Sequence, residues 1–110
     1  MQTSQLMQLI DRVNVKNDLN NLENEIEFFI ENDNKMKQVS LASFNPYYGQ
    51  IRLVDDLSVD SSYSFRRVLR KLKQHEILRF KYGFDNYKLI RCIIRHSGLS
   101  KIFRIELAKV

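Results

Sequence analysis

One cysteine, Cys92, stands alone in this sequence, so no internal disulfide can form and no cysteine zinc site can be assembled. Histidine is nearly as scarce. His75 and His96 are far apart, and neither has a cysteine or a patterned carboxylate beside it to suggest a catalytic dyad or a metal ligand set. Only Gly49, Gly83 and Gly98 supply glycine, which leaves no Gly-rich phosphate loop. No apolar run approaches the roughly 20 residues that a membrane span requires. These absences lead to the expectation of a non-enzymatic protein with no cofactor, no metal, no small-molecule substrate and no membrane span. No basic segment precedes an apolar stretch at the start, where the first arginine is Arg12, so neither a secretory signal nor an Arg-rich transit peptide is expected.

What is present is a modest core and a polarised charge. Hydrophobic residues make up 44% of the 110 residues, with seven Phe and five Tyr, enough for one small domain rather than a disordered chain. The net charge of +5 conceals a division. Residues 1–60 carry five Lys/Arg against ten Asp/Glu, and residues 61–110 carry thirteen against three. Charge segregated so sharply points to two surfaces with different partners. We therefore read 1–60 as an acidic, protein-contacting N-terminal extension and 61–110 as a basic segment that meets an anion. Frequent Asn, Lys, Ile and Phe fit an A/T-rich genome, as in phages, low-GC bacteria and organelles.

Periodicity divides the chain further. Leu6, Leu9, Ile10 and Val13 suggest a first helix over 5–13. Leu19, Leu22, Ile26 and Phe29 recur three, four and three apart, which predicts an amphipathic helix over 16–31. Gln38–Phe44 and Gln50–Val54 alternate about an Asn45-Pro-Tyr-Tyr-Gly49 turn and read as a hairpin, with Tyr47 and Tyr48 at its tip able to stack on bases or on a partner. Asp60, Ser61 and Ser62 are N-cap candidates for a basic helix running from Tyr63 to His75, in which Phe65, Val68, Leu69 and Leu72 form one face. From Arg79 onward aromatics and cations interleave, a pattern that suits stacking on unpaired bases while cations hold the backbone. Alternating Phe80, Tyr82 and Phe84 fit a buried strand face equally well. The overall expectation is an α+β fold, mostly helical: an N-terminal amphipathic helix, a short β-hairpin, a basic amphipathic helix and an extended basic C-terminal segment.

The tail Arg95-His-Ser-Gly98-Leu99-Ser100-Lys101-Ile102-Phe103-Arg104-Ile105-Glu106-Leu107-Ala108-Lys109 resembles the C-terminal signature of the family of the fourteenth protein of the small ribosomal subunit. Gly98, Leu99, Ser100, Ile102, Glu106, Leu107 and Ala108 fit it, with Lys101 in place of an arginine. Phe103 and Arg104 fit after a shift of one place. The Gly/Arg loop that the family carries ahead of this motif is missing, and Arg91-Cys92 stands about eight residues too close to Gly98 to match its Arg-Cys pair. The resemblance implies contact with small-subunit ribosomal RNA and a helical end to the chain; residues 1–60 have no counterpart in the family and are read as an extension that contacts neighbouring ribosomal proteins. Read from the residues alone, Ser100 fits a helix cap, whereas Phe103, Ile105 and Leu107 alternate as in a strand. The expected function is a structural constituent of an organellar small subunit, of the mitochondrial type. The expected RNA contacts are Arg66, Arg67, Arg70, Lys71, Lys73, Arg79, Lys81, Arg91, Arg95, Ser100, Lys101 and Arg104. The alternatives are a winged-helix DNA-binding protein of a phage or low-GC bacterium, with Lys88–Leu107 as a wing turning at His96-Ser97-Gly98, and a small inhibitor acting through its acidic helix.

Overall fold

A computed structural model describes residues 24–71 and 79–110. Six strands close into a barrel in chain order: β1 (Glu25–Asn32), β2 (Lys35–Asn45), β3 (Gln50–Val54), β4 (Arg79–Tyr82), β5 (Asp85–Ser97) and β6 (Ser100–Lys109). One helix, α1 (Ser61–Lys71), lies between β3 and β4. β1–β2–β3 and β4–β5–β6 are two antiparallel meanders, and the wall closes through two parallel pairings, β3 with β4 and β6 with β1. Parallel neighbours need a long crossover, which the segment holding α1 supplies between β3 and β4. The acidic and basic halves of the sequence are thus two arcs of one wall.

Turn chemistry sets the hairpins. Asp33 and Asn34 both take positive φ between β1 and β2, the pair of left-handed residues that a two-residue type I′ turn demands. Gly83 and Gly98 take positive φ at the first central position of the β4–β5 and β5–β6 turns, where a residue with a Cβ would be strained. Inside the barrel, Ile26, Phe28, Ile30, Val39, Leu41, Ile51, Leu53, Phe80, Tyr87, Phe103, Ile105 and Leu107 form one core. Both β2 and β5 break register once, between Leu41 and Ser43 and between Leu89 and Arg91. Each break is a bulge that reverses which residues face inward and helps a short strand curve around a barrel.

The helix closes one end. Asp60 caps it, its Oδ1 accepting from the Tyr63 N–H at 3.1 Å. The ladder between β1 and β2 stops at Phe28 and Val39, and the first turn of α1 enters the gap beyond. There Ser62 Oγ accepts from the Ile26 N–H (2.8 Å) and Ser61 Oγ from the Leu41 N–H (3.1 Å), replacing the bonds the ladder would have made. Phe65 and Val68 then complete the core, with the Phe65 ring edge-on to Phe28 at 5.4 Å. Register places Lys37, Asp55 and Tyr82 toward the opposite end. Lys37 Nζ donates to Tyr82 Oη (3.0 Å), Tyr82 Oη donates to Asp55 Oδ1 (2.5 Å), and Lys37 pairs with Asp55 at 2.7 Å. The lysine beside it holds the Asp55 carboxyl below the usual range.

This architecture corrects the mostly helical expectation. Residues 25–31, expected to be the end of a helix, are strand β1, because Ile26, Phe28 and Ile30 alternate into the core while Phe29 faces out. The sheet's two-residue period overrides the three–four spacing of Leu22, Ile26 and Phe29. The tail is not helical either. Phe103, Ile105 and Leu107 point inward along β6, and Ser100 caps no helix: its Oγ donates to the Ser97 carbonyl across the turn at 2.8 Å. The basic C-terminal segment is thus two long strands of the wall, not an extended arm. The hairpin over 38–54 is present, and so is the expected helix of 63–75 as far as Lys71, beginning two residues earlier at Ser61, with its 72–75 part outside the described residues. The expected helix over 5–13 lies outside the described residues, as does the 16–23 part of the second.

Candidate functional site

Cations in the C-terminal half fall into two populations once the wall is closed. On the outer face of β1, β6 and β5 they meet carboxylates. Arg91 and Arg104 both bind the carboxylate of Glu106, Arg104 at 3.1 Å, and Arg104 also lies 3.7 Å over the Phe29 ring. Glu106 is only 2% exposed. Burial pushes its carboxyl upward, but the hydrogen bonds and charges of the two guanidiniums outweigh that and hold it below the ordinary value. Arg95 reaches Glu27 at 3.5 Å, and Lys109 reaches Asp85 at 3.5 Å. Swinging Arg91 or Arg104 onto a phosphate would strip a buried carboxylate of a partner, a substantial cost in a low-dielectric site.

The face of β2, β3, β4 and β5 is different. Phe80 is buried, so Arg79 and Lys81 point outward; Ile51 and Leu53 are buried, so Gln50 and Arg52 point outward. Register pairs Asn45 with Gln50 and Gln50 with Arg79; continuing the β4–β5 ladder by one residue brings in Lys88. The next row runs Ser43, Arg52, Lys81 and Asn86. Two rungs across four strands therefore carry four cations, four neutral hydrogen-bonding side chains and no carboxylate. None of Arg52, Arg79, Lys81 and Lys88 forms an ion pair with a described residue. Adjacent strands are about 4.8 Å apart, so neighbouring cations repel at close range unless an anion lies over them.

The remaining expected contacts are scattered. Arg66 donates to the Asn24 carbonyl at 2.7 Å, tying α1 to the start of β1. Arg67 is exposed and sits 5.6 Å over the Tyr63 ring, while the Lys101 backbone N–H donates to Asn24 Oδ1 at 2.8 Å. Arg70 and Lys71 are in the last turn of α1 with side chains outside the described set, and Lys73 lies outside the described residues. Of the nine expected contacts whose side chains are described, Arg79 and Lys81 belong to the carboxylate-free face. Arg52, Lys88, Gln50, Asn45, Ser43 and Asn86 were not among them.

Nothing else on the described surface rivals this face as a site. A hollow of about 240 Å³ lies between the β2 bulge and α1, lined by Leu41, Ala42, Ser43, Phe44, Ser64, Arg67 and Val68. A wider one of about 380 Å³ follows the split between β1 and β2, where Glu25, Glu27 and Asp60 face Arg66. In the second, the Ser61 and Ser62 hydroxyls are engaged by the backbone N–H groups of Leu41 and Ile26. Among the described residues no group of three or more His, Cys, Asp or Glu could hold a metal ion, and no helix is long and apolar enough to cross a membrane. Burial pushes the Cys92 thiol up to about 11. No protein-family model, curated protein or solved structure matches this chain.

Proposed function

We propose that the protein is a non-catalytic RNA-binding barrel that lays its β2–β3–β4–β5 face on the phosphate backbone. The observation that carries this reading is the pair of carboxylate-free rows, Asn45–Gln50–Arg79–Lys88 and Ser43–Arg52–Lys81–Asn86. Cations held on rigid strands release condensed counterions when they meet phosphates, and neutral donors between them fix the backbone's position. The structure spends its acids elsewhere, on Arg91, Arg95, Arg104 and Lys109, which leaves this face to an anionic partner. Ribosomal RNA of an organellar small subunit, of the mitochondrial type, is the particular RNA that the C-terminal resemblance suggests, with neighbouring ribosomal proteins on the acidic surface. That proposal now rests on sequence likeness alone, since the residues that carry it build the β5–β6 hairpin and its strand.

Duplex DNA is the competing ligand. A winged-helix reading requires a recognition helix free to enter a groove and a hairpin standing off a helical core. Here α1 buries Phe65 and Val68 and anchors Arg66, and β5–β6 is part of the barrel wall. The test is binding of fluorescent RNA and duplex DNA to the wild type, to Arg79→Glu/Lys81→Glu and to a helix variant, Arg67→Glu. Loss of RNA binding in the strand variant, with Arg67→Glu close to wild type, is the expected result. Preference for duplex DNA with sensitivity at Arg67 would transfer the reading to the helix. Sedimentation of a lysate tests the ribosomal context separately: co-migration with the small subunit supports it, and migration as a free small protein removes it.

A further inference from the structure

We infer that the basic face takes a single strand of RNA that crosses the cationic rows along the strand direction, with unpaired bases stacked on rings on either side of them; this rests on the RNA-binding reading above. Tyr47 is 93% exposed and Tyr48 70%, both in the turn between β2 and β3, and Phe84 in the β4–β5 turn is fully exposed. Among the described residues none of the three has a ring or cation partner, whereas Tyr63 lies under Arg67 and Tyr82 and Tyr87 meet edge-on.

Their placement relates them to the cations. The Arg79 N–H donates to the Gly49 carbonyl at 2.8 Å, which holds the tyrosine turn at the Arg79 end of β4. Phe84 follows at the other end, three residues beyond Lys81. Three residue steps at about 3.3 Å carry β4 from Arg79 to Tyr82, roughly 10 Å, and the turns that hold the tyrosines and Phe84 extend beyond its two ends. A stacked strand rises about 3.4 Å per nucleotide, so about three nucleotide steps match β4 and some five nucleotides bridge the turns at its ends, near the lower limit of site sizes known for barrels that bind single strands. The β4–β5 turn itself demands only Gly83, at the position of positive φ, and leaves position 84 open to polar residues. A fully exposed phenylalanine there has no structural role in the described fold.

The geometry also selects against a duplex. In paired RNA the bases have no free face, so exposed rings gain nothing from it, and its deep major groove does not admit side chains. Unpaired bases offer a π-face whatever their identity, which makes the expected preference one of strandedness rather than of sequence.

The experiment compares a uridine oligomer of about twelve nucleotides with an RNA duplex of equal length, by fluorescence anisotropy at one salt concentration. Wild type should bind the single strand more tightly. Phe84→Ala and, separately, Tyr47→Ala/Tyr48→Ala should each weaken single-strand binding on the order of ten-fold and leave duplex binding and the salt slope unchanged. All three positions are exposed, so the variants keep the fold, and circular dichroism checks it. Equal losses on both RNAs, or no loss in either ring variant, would overturn the stacking inference while the phosphate-binding reading stands. A wild type that prefers the duplex overturns it in the same way, and a wild type that binds neither RNA overturns both.

Discussion

Replacing Arg79 and Lys81 by glutamine should halve the salt dependence of RNA binding, because these two contribute half the cations on the carboxylate-free face. Each phosphate neutralised on a single strand contributes about −0.7 to the slope of log K against log salt. Four contacts, from Arg52, Arg79, Lys81 and Lys88, give a slope of about −2.8, and two give about −1.4. Raising salt four-fold, from about 50 to 200 mM, should then weaken the wild type about fifty-fold and the double variant about seven-fold. The assay is an anisotropy titration at four or more salt concentrations on one labelled oligomer, with slopes taken from the straight region. Arg95→Gln is the control, since Arg95 is engaged with Glu27, and its slope should match the wild type's. A double variant with an unchanged slope would refute the assignment of the face. So would an Arg95→Gln slope that falls as far as the double variant's, because the paired wall would then be in contact with phosphate.

Legibility of the fold followed the length over which a pattern persists. The hairpin at 38–54 could be read because Val39, Leu41, Ile51 and Leu53 alternate on its two arms and Asn45, Pro46 and Gly49 mark the reversal, although the bulge after Leu41 shifts the inward phase to Phe44. The helix at Ser61 was equally plain, with an aspartate cap and with Phe65 and Val68 three apart on the face that packs on the barrel. β1 misled because Phe29 is an apolar residue on the outer face, where it packs under Arg104. One outward aromatic converted a two-residue period into an apparent helical one. β5 was obscured differently. In Leu89-Ile-Arg-Cys-Ile-Ile94 the bulge after Leu89 changes the inward phase from Tyr87 and Leu89 to Cys92 and Ile94, so no single period describes the strand.

The site was less legible than the fold, for a reason that composition cannot reveal. Density of Lys and Arg along the sequence identifies where cations are, not which of them are free. Arg91, Arg95 and Arg104 drew attention as members of a basic run, but their partners Glu27 and Glu106 arrive by strand pairing. Glu27 comes from the acidic half altogether, joined through the parallel β1–β6 ladder. Arg52 was invisible in the opposite sense. It stands alone between Ile51 and Leu53 and becomes part of a cationic patch only when β3 pairs in parallel with β4 across the helical crossover. Both errors have one origin, since most of the contacts that sort the charges come from strand pairing, antiparallel for Arg91 with Glu106 and through the parallel β1–β6 and β3–β4 ladders for Glu27 and Arg52; only Arg104 and Glu106, two residues apart on β6, pair locally.

Three further outcomes test the fold and its chemistry. Phe65→Ala removes the ring that seals one end of the barrel and should cost about 3–5 kcal/mol, lowering the midpoint of thermal unfolding on the order of 15 °C. A drop of only a degree or two would mean that α1 is not part of the core. Cys92, with its thiol held up at about 11 by burial, should react far more slowly with a disulfide reagent at neutral pH than free cysteine does, and at the free rate only after unfolding. The pH dependence of stability should carry the mark of Glu106. Its carboxyl is held below the ordinary glutamate value by Arg91 and Arg104, so the ion form is favoured in the folded state. Such a group contributes its full stabilisation above its unfolded pKa, about 4.3, and loses it as pH falls through the lower folded value. Glu106→Gln keeps the shape and removes the charge, leaving two guanidiniums without their anion. The variant should therefore melt below the wild type at pH 7, and the gap should narrow as both are titrated from about pH 5 toward pH 3, because the unfolded wild type takes up a proton there that the folded carboxylate resists. A gap that stays constant across that range would show that the carboxylate's charge adds nothing, and that Arg91 and Arg104 were left free to bind phosphate after all.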